Sequence, residues 1–194
     1  GPKQIVDVDD GSTAPSTSRQ LAEVEARFPS GQVIRQANRG LSGARNAGLA
    51  ACTGDFVQLL DADDLIVPGK VDYQVAHLSI ARGIDVSISD FLLCDETKSH
   101  FSKPGEPIGG FALDLRDFLY TWERGFSIPI HCALFRRGLF DEHSFDEAAR
   151  AKEDWLFWCS LAARGRRMAY LRAHDAIYRQ HASSMRRSVV SMGK

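Results

Sequence analysis

The sequence lacks the features that mark membrane-spanning and nucleic-acid-binding proteins. It has no apolar run close to the roughly 18 residues that a transmembrane helix needs, and no signal peptide opens it. Its 24 Lys and Arg residues are balanced by 25 Asp and Glu residues, for a net charge of -1. This balance leaves no basic surface for nucleic acid or for an anionic membrane. We therefore predict no transmembrane segment and no nucleic-acid partner.

Cysteine is also scarce. Cys52, Cys94, Cys132 and Cys159 lie far apart in the sequence, among apolar neighbours. This spacing argues against a disulfide framework or a zinc site and indicates reduced core residues. A reducing, cytoplasmic location is the expectation that follows.

What is present is the composition of an ordinary globular chain, with 44% hydrophobic and 25% charged residues. Short apolar runs at 3–8, 32–36, 55–60 and 84–93 are typical of strands, and segments with helical spacing lie between them. This order predicts an α/β fold, with a mostly parallel, doubly wound sheet and helices on both faces. No repeat or linker divides the chain, so we predict one domain, 1–194.

The second half of the chain is less regular. Residues 113–124 have helical spacing, and a further helix is expected to begin at Glu153. The apolar segment 126–135 contains Pro129, which favours an edge strand or a lining segment. Residues 168–171 and 175–179 are predicted to form two short strands.

An acidic stretch, Asp61-Ala62-Asp63-Asp64, follows the third predicted strand. Its three carboxylates repel one another unless a cation lies among them, and carboxylate oxygens suit Mg²⁺ or Mn²⁺. The alternative is an acidic surface turn in which one aspartate caps the next helix. Asp9 and Asp10 follow the first strand and are expected at the same edge of the sheet, where ligands of such sheets bind. This agreement favours a binding site.

Two further motifs leave alternatives open. Between Asn38 and Gly48, Ser42 is expected to cap a helix whose N-terminus, with Arg45 nearby, suits a phosphate. The alternative there is a packing helix of small residues with a solvated arginine. Glu153 and Asp154 begin a later helix, where they either take part in chemistry or interact only with the helix dipole.

Together these motifs resemble those of the family 2 glycosyltransferases, which have the GT-A fold. The matching segments are Val8-Asp9-Asp10-Gly11-Ser12, Asn38-Arg39-Gly40-Leu41-Ser42-Gly43-Ala44-Arg45-Asn46, Asp61-Ala62-Asp63-Asp64, Glu153-Asp154 and Tyr178-Arg179-Gln180-His181. Each motif alone is weak, and the specificity comes from their order over most of the chain. The family's usual first strand and helix, expected before Asp9-Asp10, are not in this sequence.

The resemblance implies a nucleotide-binding role for four residues. Asp10 would accept hydrogen bonds from the base, usually uracil, and Asp9 would support the turn. Arg45 would lie along the nucleotide, near the base, ribose or diphosphate. Asp61 would face the ribose.

The resemblance also implies a metal site and a catalytic base. Asp63 would hold Mn²⁺ or Mg²⁺, which would neutralise charge on the leaving diphosphate. Asp64 has no settled role in this pattern. His181 would approach the metal or the diphosphate, with a surface position on a loosely ordered tail as the alternative. Asp154 would be the base that deprotonates the acceptor hydroxyl in an inverting transfer.

The function expected from the resemblance is transfer of a sugar from a nucleotide-diphosphate donor, with UDP as the expected nucleotide, to a saccharide, lipid-linked or protein acceptor. Residues of about 3–95 would bind the donor, and about 96–181 would supply the acceptor side, including His131. Residues 182–194 would form a tail. The alternatives are a nucleotidyltransferase, although no glycine-rich loop with Lys or Arg follows the first strand, and a non-catalytic sugar-nucleotide-binding or scaffold domain. The expected location is the cytoplasm, including the inner face of a membrane.

Overall fold

Strands and helices alternate through the first half of the chain. The computed structural model describes residues 3–28, 31–95, 97, 99–122, 124 and 126–180. Its elements in chain order are β1 (Val6–Asp10), α1 (Pro15–Arg27), β2 (Gln32–Gln36), α2 (Gly40–Ala51), β3 (Phe56–Gln58), β4 (Leu65–Ile66), α3 (Lys70–Ile80), β5 (Val86–Cys94), β6 (Phe101–Ser102), α4 (Leu115–Tyr120), β7 (Ala133–Arg136), α5 (Glu153–Ala163) and β8 (Met168–Arg179). This order confirms the predicted α/β class.

The chain divides into two units that are not continuous in sequence. The first consists of Gly1–Val57 and Phe135–Arg166, and the second of Gln58–Leu134 and Arg167–Lys194. The organisation as one functional domain stays a prediction.

The first unit contains the parallel pair β1 and β2. Val6 lies opposite Gln32 and Asp10 opposite Gln36, so the two strands end together. A parallel pair needs a crossover connection, which α1 supplies. Asp9 and Asp10 therefore lie at the carboxyl end of this pair.

Aromatic side chains fill the interior of the first unit. Phe145, Phe157 and Trp158 are buried, and the rings of Phe145 and Phe157 stack with centroids 4.3 Å apart. Phe135 stacks on Trp158 at 5.7 Å. Because Phe157 and Trp158 belong to α5, this packing fixes the helix whose first turn carries Asp154.

The helices are short, and α2 begins ahead of the residue predicted to cap it. Within the described ranges, none has the length and apolar character to cross a membrane. α1 begins at Pro15, whose missing N–H is not needed in a first turn. α2 begins at Gly40, and Ser42, predicted as its cap, is buried inside the helix.

A second sheet has the strand order β3-β7-β5-β8-β4, and β6 also pairs with β5. β5 and β8 are parallel, whereas β4 is antiparallel to β8 and β6 is antiparallel to β5. The sheet is therefore mixed. The strands β4 and β6 have only two residues each, which is too short to produce a hydrophobic pattern.

The two strands predicted at 168–171 and 175–179 form one strand, β8. Its register against β5 shifts between Ser89 and Asp90 and again between Asp90 and Phe91. Such bulges interrupt the alternation of side chains, which made one strand look like two in the sequence.

The segment 126–135 is not an edge strand. Ile130–Cys132 forms a 3-10 turn, and β7 then lies between β3 and β5 in the strand order. Pro129 precedes the turn, so the sheet does not need the N–H that proline lacks.

Candidate active site

The turn after β1 is shaped by Asp9 and Gly11. Oδ1 of Asp9 accepts a hydrogen bond from the backbone N–H of Ser12 at 2.9 Å, and this bond lowers the pKa of the Asp9 carboxyl. Gly11 has a φ of +80°, and a Cβ at this position would lie 2.9 Å from the backbone nitrogen of Asn38. The turn therefore requires glycine, both for its backbone angle and for space.

Asp10 caps the N-terminus of α2. Its Oδ1 accepts hydrogen bonds from the backbone N–H of Arg39 at 2.8 Å and from Nε2 of Gln36 at 2.7 Å. Burial raises the pKa of the Asp10 carboxyl, but these hydrogen bonds outweigh burial and leave the pKa below its ordinary value. The cap expected from Ser42 thus comes from Asp10. The helix N-terminus expected to suit a phosphate already holds a carboxylate.

Arg45 is paired with Asp154. It is 7% exposed, so the alternative of a solvated arginine is wrong. Its Nη1 donates a hydrogen bond to Oδ1 of Asp154 and lies 3.9 Å from Oε1 of Glu153. Its Cζ lies 5.0 Å from the ring centroid of Phe145, within cation–π range. The structure thus joins two predicted site residues that are 109 positions apart.

The segment Phe145–Glu147 is bound to the start of α2 by side-chain hydrogen bonds. Nδ2 of Asn46 donates to the carbonyl oxygen of Phe145 at 2.9 Å, and the backbone N–H of Phe145 donates to Oδ1 of Asn46 at 2.9 Å. Arg39 makes bidentate contacts with Glu147, at 2.7 Å and 3.2 Å, and these lower the pKa of the Glu147 carboxyl. Sequence reasoning missed Phe145 and Glu147 because nothing in their local pattern marks them.

The acidic turn, Asp61 to Asp64, follows β3 in the second unit. It is closed by a hydrogen bond from the backbone N–H of Asp64 to the carbonyl oxygen of Asp61 at 3.1 Å. Nε of Arg179 donates to the carbonyl oxygen of Asp63. Asp61 and Asp63 are partly exposed. The residues that the structure describes contain no group of three or more His, Cys, Asp or Glu that could hold a metal, and His181 lies outside them.

Asp64 is the inward-facing carboxylate of the acidic turn. It is buried, and its Oδ1 accepts a hydrogen bond from the backbone N–H of Arg179 at 3.0 Å. Its Oδ2 lies 2.9 Å from Nδ1 of His131. His131 is itself fully buried in the interior of the second unit, and its expected place on the acceptor side stays a prediction. Asp64 therefore holds the turn in place.

Comparison with known protein families identifies the family of this chain. The sequence model described as "Glycosyl transferase family 2" matches residues 1–144. The chain belongs to glycosyltransferase family 2. This match confirms the family resemblance. Asp154 lies beyond the matched range.

One relative and two solved structures are similar to this chain. "Succinoglycan biosynthesis protein ExoO" of Rhizobium meliloti (strain 1021) is 27% identical over 197 residues, covering 95% of this chain and 54% of ExoO. S. aureus TarS 1-349, solved in complex with UDP, has a TM-score of 0.67 at 19% identity, covering 91% of this chain and 51% of TarS. GalNAc-T7, solved with UDP, GalNAc and Mn2+, has a TM-score of 0.70 at 18% identity, covering 93% and 38%. These likenesses confirm the GT-A fold. The chain spans about half the length of ExoO.

The glycosyltransferase also has a buried polar network connected to its acidic turn. Lys70, at the start of α3, is fully buried. Its Nζ donates hydrogen bonds to Oε1 of Gln58 at 2.8 Å and to Oε1 of Gln74. Nε2 of Gln58 in turn donates to the carbonyl oxygen of His131 at 3.1 Å. Burial lowers the pKa of Lys70 to about 8. Sequence reasoning did not find this network, because a lysine in a first helical turn gives no sign of burial.

Proposed function

We propose that this chain transfers a sugar from a UDP-linked donor to an acceptor hydroxyl, with inversion and with a divalent cation. The observation that carries the proposal is the pairing of the partly exposed Asp154 with the buried Arg45 in a chain of this family. It gives the protein a carboxylate of fixed orientation at the start of a helix. The UDP in the solved structures of TarS and GalNAc-T7 supports the choice of donor, and the name of ExoO supports a role in polysaccharide or glycoconjugate assembly.

In the proposed reaction Asp154 is the general base. It takes the proton of the acceptor hydroxyl while that oxygen forms a bond to the anomeric carbon of the sugar. The bond between the anomeric carbon and the diphosphate oxygen breaks, and UDP leaves with the electron pair. A single displacement of this kind inverts the configuration at the anomeric carbon.

We assign donor binding to the carboxylates that end β1 and begin the acidic turn. Asp10 would accept hydrogen bonds from the base, and Asp9 would keep the turn in shape through its bond to Ser12. Asp61 would contact the ribose.

We assign the cation to the acidic turn, where oxygens of the substrate would complete its coordination. Since Asp64 faces inward, Asp61 and Asp63 are the two partly exposed carboxylates of the turn. Mg²⁺ in phosphate-binding sites takes one or two carboxylates together with phosphate oxygens and water, so such a site does not need three ligands from the protein. Asp63 would hold Mn²⁺ or Mg²⁺, with His181 as a further ligand. When bound, the cation would neutralise charge on the leaving diphosphate.

A donor screen tests the proposal. The full chain would be incubated with UDP-, GDP- and dTDP-sugars in the presence of Mn²⁺, Mg²⁺ or EDTA, and nucleotide release would be measured. We expect UDP release that EDTA abolishes, that Asp154→Asn removes without changing the Kd for UDP, and that Asp63→Asn lowers together with the Mn²⁺ dependence of UDP binding.

The contrary outcomes are distinct from one another. UDP binding without hydrolysis or transfer of any donor would favour the non-catalytic alternative. Full activity of Asp154→Asn would show that the base lies elsewhere.

A further inference from the structure

We infer that Arg45 is a positioning residue for Asp154, and that Asn46 supports it by fixing the segment on which the arginine packs. This inference rests on the proposed role of Asp154 as the base. It differs from the role along the nucleotide that the family resemblance implies for Arg45.

The contacts of Arg45 are those of a buried structural cation. The side chain is 5% exposed, and its Nη1 bonds to Oδ1 of Asp154 while lying 3.9 Å from Oε1 of Glu153. To reach a donor, the guanidinium would have to leave these partly buried carboxylates. Separating a buried ion pair is costly because each charge then lacks its partner.

Asn46, the next residue, connects α2 to α5 by a second route. Its amide pairs with both the N–H and the carbonyl of Phe145, each at 2.9 Å. The ring of Phe145 contacts the guanidinium of Arg45 at 5.0 Å and stacks on Phe157 of α5 at 4.3 Å. Arg45 and Asn46 therefore bind α5 at its first turn and at the aromatic cluster behind it.

The backbone at the start of α5 is unusual. Its N-cap residue, Lys152, has a φ of 61°. Positive φ is uncommon for a residue other than glycine, so this helix start depends on contacts made elsewhere. The hydrogen bond from Arg45 supplies one directly on the carboxylate that the reaction would use.

The pairing has a chemical consequence for the base. A guanidinium beside a carboxylate favours the ionised form, which is the form that accepts a proton. It also fixes one carboxylate oxygen, so the carboxylate meets the hydroxyl in a single orientation. Small displacements of catalytic groups are costly, with about 100-fold lost for a shift of about 1 Å.

The test compares Arg45→Met, Arg45→Lys and Asn46→Ala with the control Arg35→Met, whose arginine forms an exposed ion pair with Glu25. We expect Arg45→Met to lower kcat by about 100-fold with the Kd for UDP unchanged. The acidic limb of its pH–rate profile should move to higher pH. Arg45→Lys should restore part of both, and Arg35→Met should behave as wild type.

A thermal unfolding cycle on Arg45→Met, Asp154→Asn and the double variant adds a readout that needs no turnover. Paired residues should give a Tm loss in the double variant that is smaller than the sum of the two single losses. If Arg45→Met does not fold, Arg45→Lys and Asn46→Ala carry the kinetic test.

Two results overturn the inference. One is a raised Kd for UDP with kcat retained in the Arg45 variants, which would place the arginine on the donor. The other is additive Tm losses with an unchanged pH profile. Failure of the proposed function is a different result, since there Asp154→Asn itself would keep full activity.

Discussion

Replacing Lys70 with Met should remove a pH-dependent part of the stability of this glycosyltransferase. Lys70 is fully buried. Its Nζ donates hydrogen bonds to the uncharged amide oxygens of Gln58 and Gln74. Burial lowers its pKa from 10.5 to about 8, while the charge of Asp175 acts in the opposite direction. The ammonium group is therefore less favourable in the folded chain than in the unfolded chain.

The sign of the effect follows from proton counting. Between the two pKa values the unfolded chain binds more protons than the folded chain, so the free energy of unfolding rises with pH across this window. Below about pH 8 both states are charged and the full cost of burial applies. The shift is equivalent to about 3 kcal/mol, most of which is recovered between about pH 7 and about pH 10.

Urea denaturation of wild type and Lys70→Met over this pH range measures how the stability that depends on Lys70 changes with pH. The difference between their free energies of unfolding should change by about 2 to 3 kcal/mol in favour of wild type as the pH rises. Loss of the donor to Gln58 and Gln74 lowers the stability of the variant by an amount that does not depend on pH. Lys103→Met, at an exposed position, is the matched control and should follow wild type. Parallel curves for wild type and Lys70→Met would refute a buried charge at this position.

Two further predictions concern stability, each measured by urea denaturation. Asp64→Asn should lower the free energy of unfolding by about 1–3 kcal/mol, because it disturbs a buried acceptor, and an unchanged midpoint would show that Asp64 does not hold the acidic turn. Gly109→Ala should cost about 1–3 kcal/mol, since an added Cβ would lie 2.4 Å from the ring of Tyr170. Gly110→Ala, where an added Cβ meets nothing within 4 Å, should be close to neutral. Equal losses in the two glycine variants would rule out the steric explanation.

Sequence alone was enough for the features that depend on near neighbours in the chain. The alternation of strands and helices up to β5 is visible because hydrophobic periodicity is a local property. The turn after β1 is visible for the same reason: Asp9 bonds to Ser12, three residues away, and Gly11 supplies the required positive φ. The family could also be recognised, since its motifs are short and occur in a set order.

Only the tertiary structure decided how the polar residues pair. Arg45 pairs with Asp154, which is 109 positions away in the sequence. Asp64 accepts a hydrogen bond from Arg179, which is 115 positions away. No local pattern encodes such partners, because a buried charge pairs with whichever group the packing of distant elements brings near it. For the same reason, the sequence presented Asp61, Asp63 and Asp64 as three similar carboxylates. The fold turned one of them inward and left two partly exposed.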